Sequence, residues 1–95
     1  LILRALQGGA AHGYAISRWV RERTEGVLAI EDAALYQALH RLERHKWVSA
    51  AWGLSENNRK AKYYTLTVAG RTQLKAESLV WKRYAVAVAS VLSPG

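Results

Sequence analysis

The chain has 95 residues, enough for one domain with a modest core, and a domain this small is often stabilised further by oligomerising. Lysine and arginine number 14 against 7 aspartates and glutamates, so the formal net charge of +7 indicates an anionic partner such as nucleic acid or a membrane surface. Cysteine is absent, which excludes disulfides, thiolate nucleophiles and cysteine-ligated zinc.

Targeting signals are missing from the sequence. There is no uncharged apolar run of about 18 residues, and the first residues lack the basic region and cleavage pattern of a signal peptide. We therefore expect a soluble, cytoplasmic protein without a membrane segment. The sequence begins at Leu1 rather than at methionine, so further residues are expected to precede it.

Two helical patterns open the chain. The first covers residues 1–6 and stops at the glycine pair that follows. The second starts at His12 and ends near Gly26, a residue suited to the left-handed backbone conformation just past a helix. Its apolar stripe consists of Ile16, Trp19 and Val20.

The stretch from Glu31 to Lys46 predicts a third, strongly amphipathic helix, which Glu31 or Asp32 can cap. The apolar residues at helical spacing are Leu35, Ala38, Leu39 and Leu42. At about 100° per residue, the other side and its flanks carry groups that can hydrogen-bond base edges and phosphates. These residues are Ala33, Tyr36, Gln37, His40, Arg41 and Arg44. Taken alone, the pattern is also typical of any surface helix.

From Trp47 onward the apolar period changes from helical to two, which predicts two antiparallel strands. Residues 53–62 lie between the strands and combine turn-forming residues with a basic second half. The candidate contacts in this wing are Asn57, Asn58, Arg59, Lys60 and Lys62. A charge run is usually a solvated turn. Because this one follows a candidate recognition helix and no acid beyond Glu56 neutralises it, contact with phosphate or the minor groove is favoured.

A last helix is predicted from a cap at Thr67 to about Leu92. Roughly 25 residues at 1.5 Å each span about 37 Å, which is longer than a core of this size needs. Two apolar rows form a heptad-like seam, and we expect its surplus surface to meet a second copy of the chain. The seam comprises Leu74, Ser78, Trp81, Ala85, Val88 and Leu92.

These elements predict a mainly α fold with a small β-hairpin, of class α+β. Residues 1–67 would form a winged helix-turn-helix that binds DNA, and residues 68–95 would form a dimerisation helix in the same compact unit. Catalytic chemistry has no support, since no nucleophile elbow or paired carboxylates occur. His40 and His45 lie about 140° apart on a helix and cannot share a metal. We predict no enzyme activity, catalytic residue, metal or cofactor.

Four motifs, in their order and spacing, resemble the PadR family of bacterial transcriptional regulators over almost the whole chain. They are His12-Gly13-Tyr14, residues 35–43 (LYQALHRLE), residues 62–67 (KYYTLT) and Gly70. Trp52-Gly53 and the run at 55–62 look like the acidobacterial branch of that family.

The resemblance implies a dimeric winged-helix DNA-binding protein, commonly a repressor, whose last helix supplies most of the dimer contact. It places Tyr14 near the DNA backbone, although an aromatic at a helix start can equally be a core residue. Some family members bind ligands near the dimer interface, which makes Trp81 and Tyr84 candidate effector contacts. Trp81 is more simply dimer core, as an aromatic at heptad spacing usually is.

The chain departs from the family pattern in two places. Ala33-Ala34 stands where the family has glycine and a hydroxyl residue, so a phosphate contact is lost. Gln37 stands where proline is frequent, and its amide can pair with adenine. The operator preference of the family is therefore not expected to carry over.

The sequence thus predicts a sequence-specific regulator, a dimeric repressor that binds a roughly palindromic stretch of double-stranded DNA. The alternative is a winged helix whose basic face binds an acidic protein, and salt-dependent duplex binding would discriminate the two. A role at membranes would need one basic amphipathic helix with a free apolar face, whereas the basic residues here are spread over several elements. The operator, the regulated genes, the direction of regulation and any effector are not encoded in these patterns.

Overall fold

Short helices and strands precede one long helix in the computed structural model, which describes residues 1–94. The elements are α1 (Ile2–Ala5), β1 (Ala11–His12), α2 (Gly13–Arg23), α3 (Asp32–Arg44), β2 (Val48–Leu54), β3 (Lys60–Leu66) and α4 (Val68–Leu92). The α+β class, the helix-turn-helix order, the hairpin and the long last helix are confirmed. No helix in residues 1–94 combines the length and apolar character needed to cross a membrane.

The strands form one antiparallel sheet in the order β1-β3-β2. β2 and β3 are the predicted hairpin, with Val48 opposite Leu66. β1 was not predicted, and it pairs Ala11 with Tyr64 on the other side of β3. Two residues are too few for an alternating pattern to be recognised, and the sequence placed His12 at the start of a helix instead.

The core lies between the sheet and the helices. The buried members of its main cluster are Leu3, Leu6, Ile16, Leu35, Leu39, Val48, Tyr64, Leu66 and Leu74. The stripe predicted for α3 faces this core, since Leu35 and Leu39 are buried while Ala38 and Leu42 lie half-buried at its edge. Each fully buried leucine contributes roughly 1.5–3 kcal/mol, which fixes the rotation of α3 and leaves its polar face outward.

The helix ends agree with the predictions only in part. Thr67 caps α4, and its hydroxyl oxygen accepts a hydrogen bond from the Gly70 N–H at 3.0 Å. His12 caps α2 by accepting a backbone N–H on its Nδ1 atom at 3.1 Å. Glu31 precedes α3, but its side chain makes no capping hydrogen bond, so the predicted carboxylate cap is wrong at that residue.

α4 is fixed to the hairpin by a close approach at Gly70. A Cβ atom placed on Gly70 would lie 1.9 Å from the carbonyl oxygen of Trp47. The Thr67 N–H donates to that same oxygen at 3.1 Å, and the Thr67 hydroxyl donates to the Lys46 carbonyl at 2.7 Å. Only a residue without a side chain fits at position 70. The first turn of α4 is therefore held at a fixed position against the Trp47 backbone.

Only the first part of α4 packs on the core. Leu74 is 9% exposed and belongs to the core of its own chain, which corrects its assignment to the dimer seam. Ser78 is half-buried. The remaining seam residues are exposed: Trp81, Ala85, Val88 and Leu92. Because the rest of the helix projects beyond the core, the molecule measures 56 × 29 × 22 Å.

Candidate nucleic-acid interface

The polar face of α3 is open to solvent. All six residues expected there are exposed: Ala33, Tyr36, Gln37, His40, Arg41 and Arg44. Tyr36 also has a packing role, because a Cβ atom on Gly13 would lie 3.0 Å from the Tyr36 hydroxyl oxygen. The phenol therefore lies against the start of α2 and helps to set how the two helices of the helix-turn-helix meet.

The start of α2 adds an aromatic pair to this face. Tyr14 is 71% exposed, which excludes the reading of it as a core aromatic. Its ring centroid lies 6.3 Å from that of His12, which in turn lies 5.3 Å from the ring of Tyr63. Because Nδ1 of His12 accepts the helix N–H, a neutral imidazole carries its proton on Nε2. His12 thus keeps a donor for a further partner.

A groove of about 1030 Å³ runs between α2, α3 and the wing. Of the predicted contacts, it brings together Tyr14, Tyr36, His40, Asn57, Arg59, Lys60 and Lys62. The predicted contacts outside its walls are Ala33, Gln37, Arg41, Arg44 and Asn58. A helix face on one side and a cationic hairpin on the other can hold an extended anionic chain, while Gln37 and Arg44 remain free to reach beyond it.

The wing turn is shorter than its sequence suggested. It comprises only residues 55–59, because β2 and β3 extend on either side of it. Asn58 adopts a positive φ of 57° in this turn, a conformation that asparagine tolerates better than most residues. Lys60 and Lys62 therefore lie on β3, and of the three cations only Arg59 lies in the turn.

Lys62 interacts with two residues of its own chain. Its Nζ atom lies 3.3 Å from Oε1 of Glu43 and 5.7 Å from the centroid of the Tyr64 ring. The expectation that no acid beyond Glu56 neutralises the basic run is therefore wrong, since Glu43 does so from α3. A pair this exposed contributes about 0.2–1 kcal/mol, but it joins α3 to the wing.

Two ionisable groups beside the groove have shifted pKa values. Burial raises the pKa of Tyr64, and the nearby Lys62 ammonium opposes part of that rise. The Glu22 carboxylate raises the pKa of Arg18, whose Nε atom donates to Glu22 Oε1 at 2.9 Å. The Tyr64 phenol in the groove is therefore neutral, and the Glu22 carboxylate partly compensates the charge of Arg18.

Several residues that line the groove were not among the predicted contacts, and the most informative of them are Arg18, Glu43 and Trp52. The helical period marks Arg18 as outward-facing but does not show which neighbouring element it faces. The strand pattern put Trp52 in line with Val48 and Ala50, yet Trp52 is 65% exposed because β2 extends past the core. The available signal was the basic run before the second predicted strand, which a hairpin places opposite Trp52.

Two other candidate sites are a metal site and the aromatic pair of α4. In the part of the chain that the structure describes, no three His, Asp or Glu side chains cluster as metal ligands. The rings of Trp81 and Tyr84 meet edge to face with centroids 5.8 Å apart. They lie on the projecting part of α4, are 62% and 61% exposed, and do not line the groove.

Comparison with known proteins agrees with this architecture. The PadR-like family of transcriptional regulators matches residues 2–76. A transcriptional regulator from Clostridium thermocellum is similar, with 27% identity and a TM-score of 0.86 over 97% of this chain and 89% of that one. A PadR family regulator from Clostridium difficile has 26% identity and a TM-score of 0.83 over 97% and 94%. Bacillus subtilis PadR, solved in complex with operator DNA, has 20% identity and a TM-score of 0.70 over 92% and 56%.

Proposed function

The chain belongs to the PadR-like family of transcriptional regulators, and from that premise we propose that it binds operator DNA as a sequence-specific repressor in the cytoplasm. Its family and its structural neighbours are transcription regulators rather than enzymes. The fold is shared with a PadR that was solved with operator DNA, which supports a DNA partner here.

One observation carries the proposal: two residues of the exposed α3 face, Tyr36 and His40, line the same groove as the wing cations. Arg59 and Lys60 would bind phosphates along the groove, and Tyr14 would contact the backbone from α2. Gln37 and Arg44 would enter the major groove with α3, where an amide can pair with adenine and a guanidinium with guanine. The net charge of +7 would attract the duplex before any base is read.

We propose that two copies act together, joined through α4. Residues 1–67 would bind DNA and residues 68–95 would form the dimer, with the first turns of α4 also serving the core. Trp81, Ala85, Val88 and Leu92 support this, because they expose an apolar surface on a helix that projects from the core. A two-fold dimer would place two α3 helices in major grooves about one helical turn apart, which matches a roughly palindromic operator.

A small-molecule effector is a separate proposal. Trp81 and Tyr84 would line its site between the two copies, although the same aromatics serve equally well as dimer core. Ligand-dependent release of the duplex, lost on Tyr84→Ala while the dimer persists, would support an effector role.

The direct test is a fluorescence anisotropy titration of duplex DNA over a series of salt concentrations. The logarithm of affinity should fall linearly with the logarithm of salt, by a slope of about 0.9 for each phosphate neutralised. Undetectable duplex binding together with binding of polyglutamate would contradict the proposal and favour the acidic-protein alternative.

A further inference from the structure

The sheet face that packs on the core continues past the core into the groove. Val48 and Ala50 of β2 pack on the core, and Trp52 follows on the same face because alternate strand residues point the same way. Trp52 lies opposite Lys62 in the register, and Lys60 follows on that face of β3. An indole and two ammonium groups therefore share the groove-facing side of the wing.

Trp52 and Lys60 are in contact there. The Lys60 Nζ atom lies 5.3 Å from the centroid of the Trp52 ring. This is within the distance of about 6 Å at which a cation is attracted to the face of an aromatic ring. An ammonium has three N–H donors, so a ring on one side leaves donors for an anion on the other.

The three wing cations differ in what holds them. Lys62 has a carboxylate partner, Glu43, which offsets its charge. Arg59 lies exposed in the turn, where a long side chain loses rotamer freedom when it binds. Lys60 has a partner that restricts its conformations but carries no charge, so its ammonium is held in the groove with its full charge available.

We propose that Trp52 is a positioning residue for DNA binding, whose indole holds the Lys60 ammonium where it binds a phosphate of the duplex. This deepens the proposed function and rests on it. A cation that is already held in place loses less entropy on binding, so Trp52 raises affinity for every sequence and reads no base.

The test is a double-mutant cycle of Trp52→Leu and Lys60→Gln, with affinity measured for a random-sequence duplex. Trp52→Leu should weaken binding about two- to fivefold, as expected for an exposed cation–π contact. In the Lys60→Gln background the same substitution should have almost no effect, because the ring has no cation to hold. Lys60→Gln should also lower the salt slope by roughly one unit, and Trp52→Phe should keep most of the affinity.

The matched control is Val27→Ala, which removes an exposed apolar side chain outside the groove and should leave affinity unchanged. Circular dichroism melting verifies that each variant folds. Equal losses from Trp52→Leu in both backgrounds, tighter binding by Trp52→Leu, or unchanged affinity of Lys60→Gln would each overturn the positioning role. In those cases wild-type binding persists and the proposed function stands. Absence of duplex binding by the wild type would reject both.

Discussion

At the scale of single residues, we expect base reading and phosphate binding to fall to different side chains. Gln37 lies early on the exposed face of α3 and outside the groove walls, whereas Arg59 lies at the wing turn on one of those walls. Recognition helices reach base edges mainly through residues near their N-termini, and flexible cations follow phosphates. The two residues should therefore give different mutational signatures.

Gln37→Ala should cost about 1–3 kcal/mol on the preferred site and change which sequence is preferred, with non-specific affinity almost unchanged. Arg59→Ala should weaken all duplexes alike and lower the salt slope by roughly one unit. Anisotropy titrations on the best site and on a scrambled duplex measure both effects. A selective loss on A·T-rich flanks by Arg59→Ala would instead mean that the wing reads minor-groove shape. If neither variant affects binding, the assignment of this face to DNA is wrong.

At the scale of elements, the periodic patterns predicted most of the core-facing residues of the helices, but they did not predict the contacts made by residues beyond the core. The α3 stripe and the buried Ile16 and Val20 of α2 followed from spacing, because burial imposes the period. Trp19, also predicted in the α2 stripe, is only half-buried and lines the groove, so that part of the prediction is wrong. β1 is too short to have a period, and Trp52 keeps the alternation of a core strand where no core remains. The Glu43–Lys62 pair joins residues 19 positions apart in the sequence, and spacing alone does not reveal such a contact.

Glu43→Gln should strengthen non-specific DNA binding, because it frees the Lys62 ammonium and removes an acid from the groove. We expect a gain of roughly two- to fivefold and a salt slope steeper by up to about one unit. Stability should fall by no more than about 1 kcal/mol, since the pair is partly exposed. Glu77→Gln makes the same charge change on α4, away from the groove. Equal gains from both variants would mean that net charge alone is responsible.

Gly70→Ala should destabilise the fold by roughly 1–3 kcal/mol or more, because the new methyl group meets the Trp47 backbone and α4 must shift. Gly8→Ala is the matched control, since nothing lies within 4 Å of a Cβ atom at that exposed position. Urea unfolding of the two variants measures the difference. Equal stability of both would contradict the close docking of α4 on the hairpin.

At the scale of the whole molecule, the projecting part of α4 predicts how two copies would associate. Trp81 and Val88 lie on the part of α4 that projects beyond the core. In a single copy of the chain, these apolar side chains are exposed to water. Solvent exposure of such a seam is unfavourable, so we expect a homodimer in which two winged helices share one axis.

Light scattering at micromolar concentration should report about twice the chain mass of 10.6 kDa. Trp81→Lys combined with Val88→Lys should give a folded monomer, because the seam lies outside the core that stabilises the chain. That monomer should bind the operator more weakly than the wild type, since only one α3 helix then engages. A wild-type protein that stays monomeric while folded would contradict the dimer.

Selection of bound sequences from a random duplex pool tests the central claim most directly. We expect enrichment of a two-fold symmetric site whose half-sites lie about one helical turn, 10–10.5 base pairs, apart. Gln37→Ala should enrich a different half-site with the same spacing, because the dimer geometry is unchanged. A pool that shows no enriched sequence after repeated rounds, with the protein folded and dimeric, would contradict sequence-specific DNA recognition.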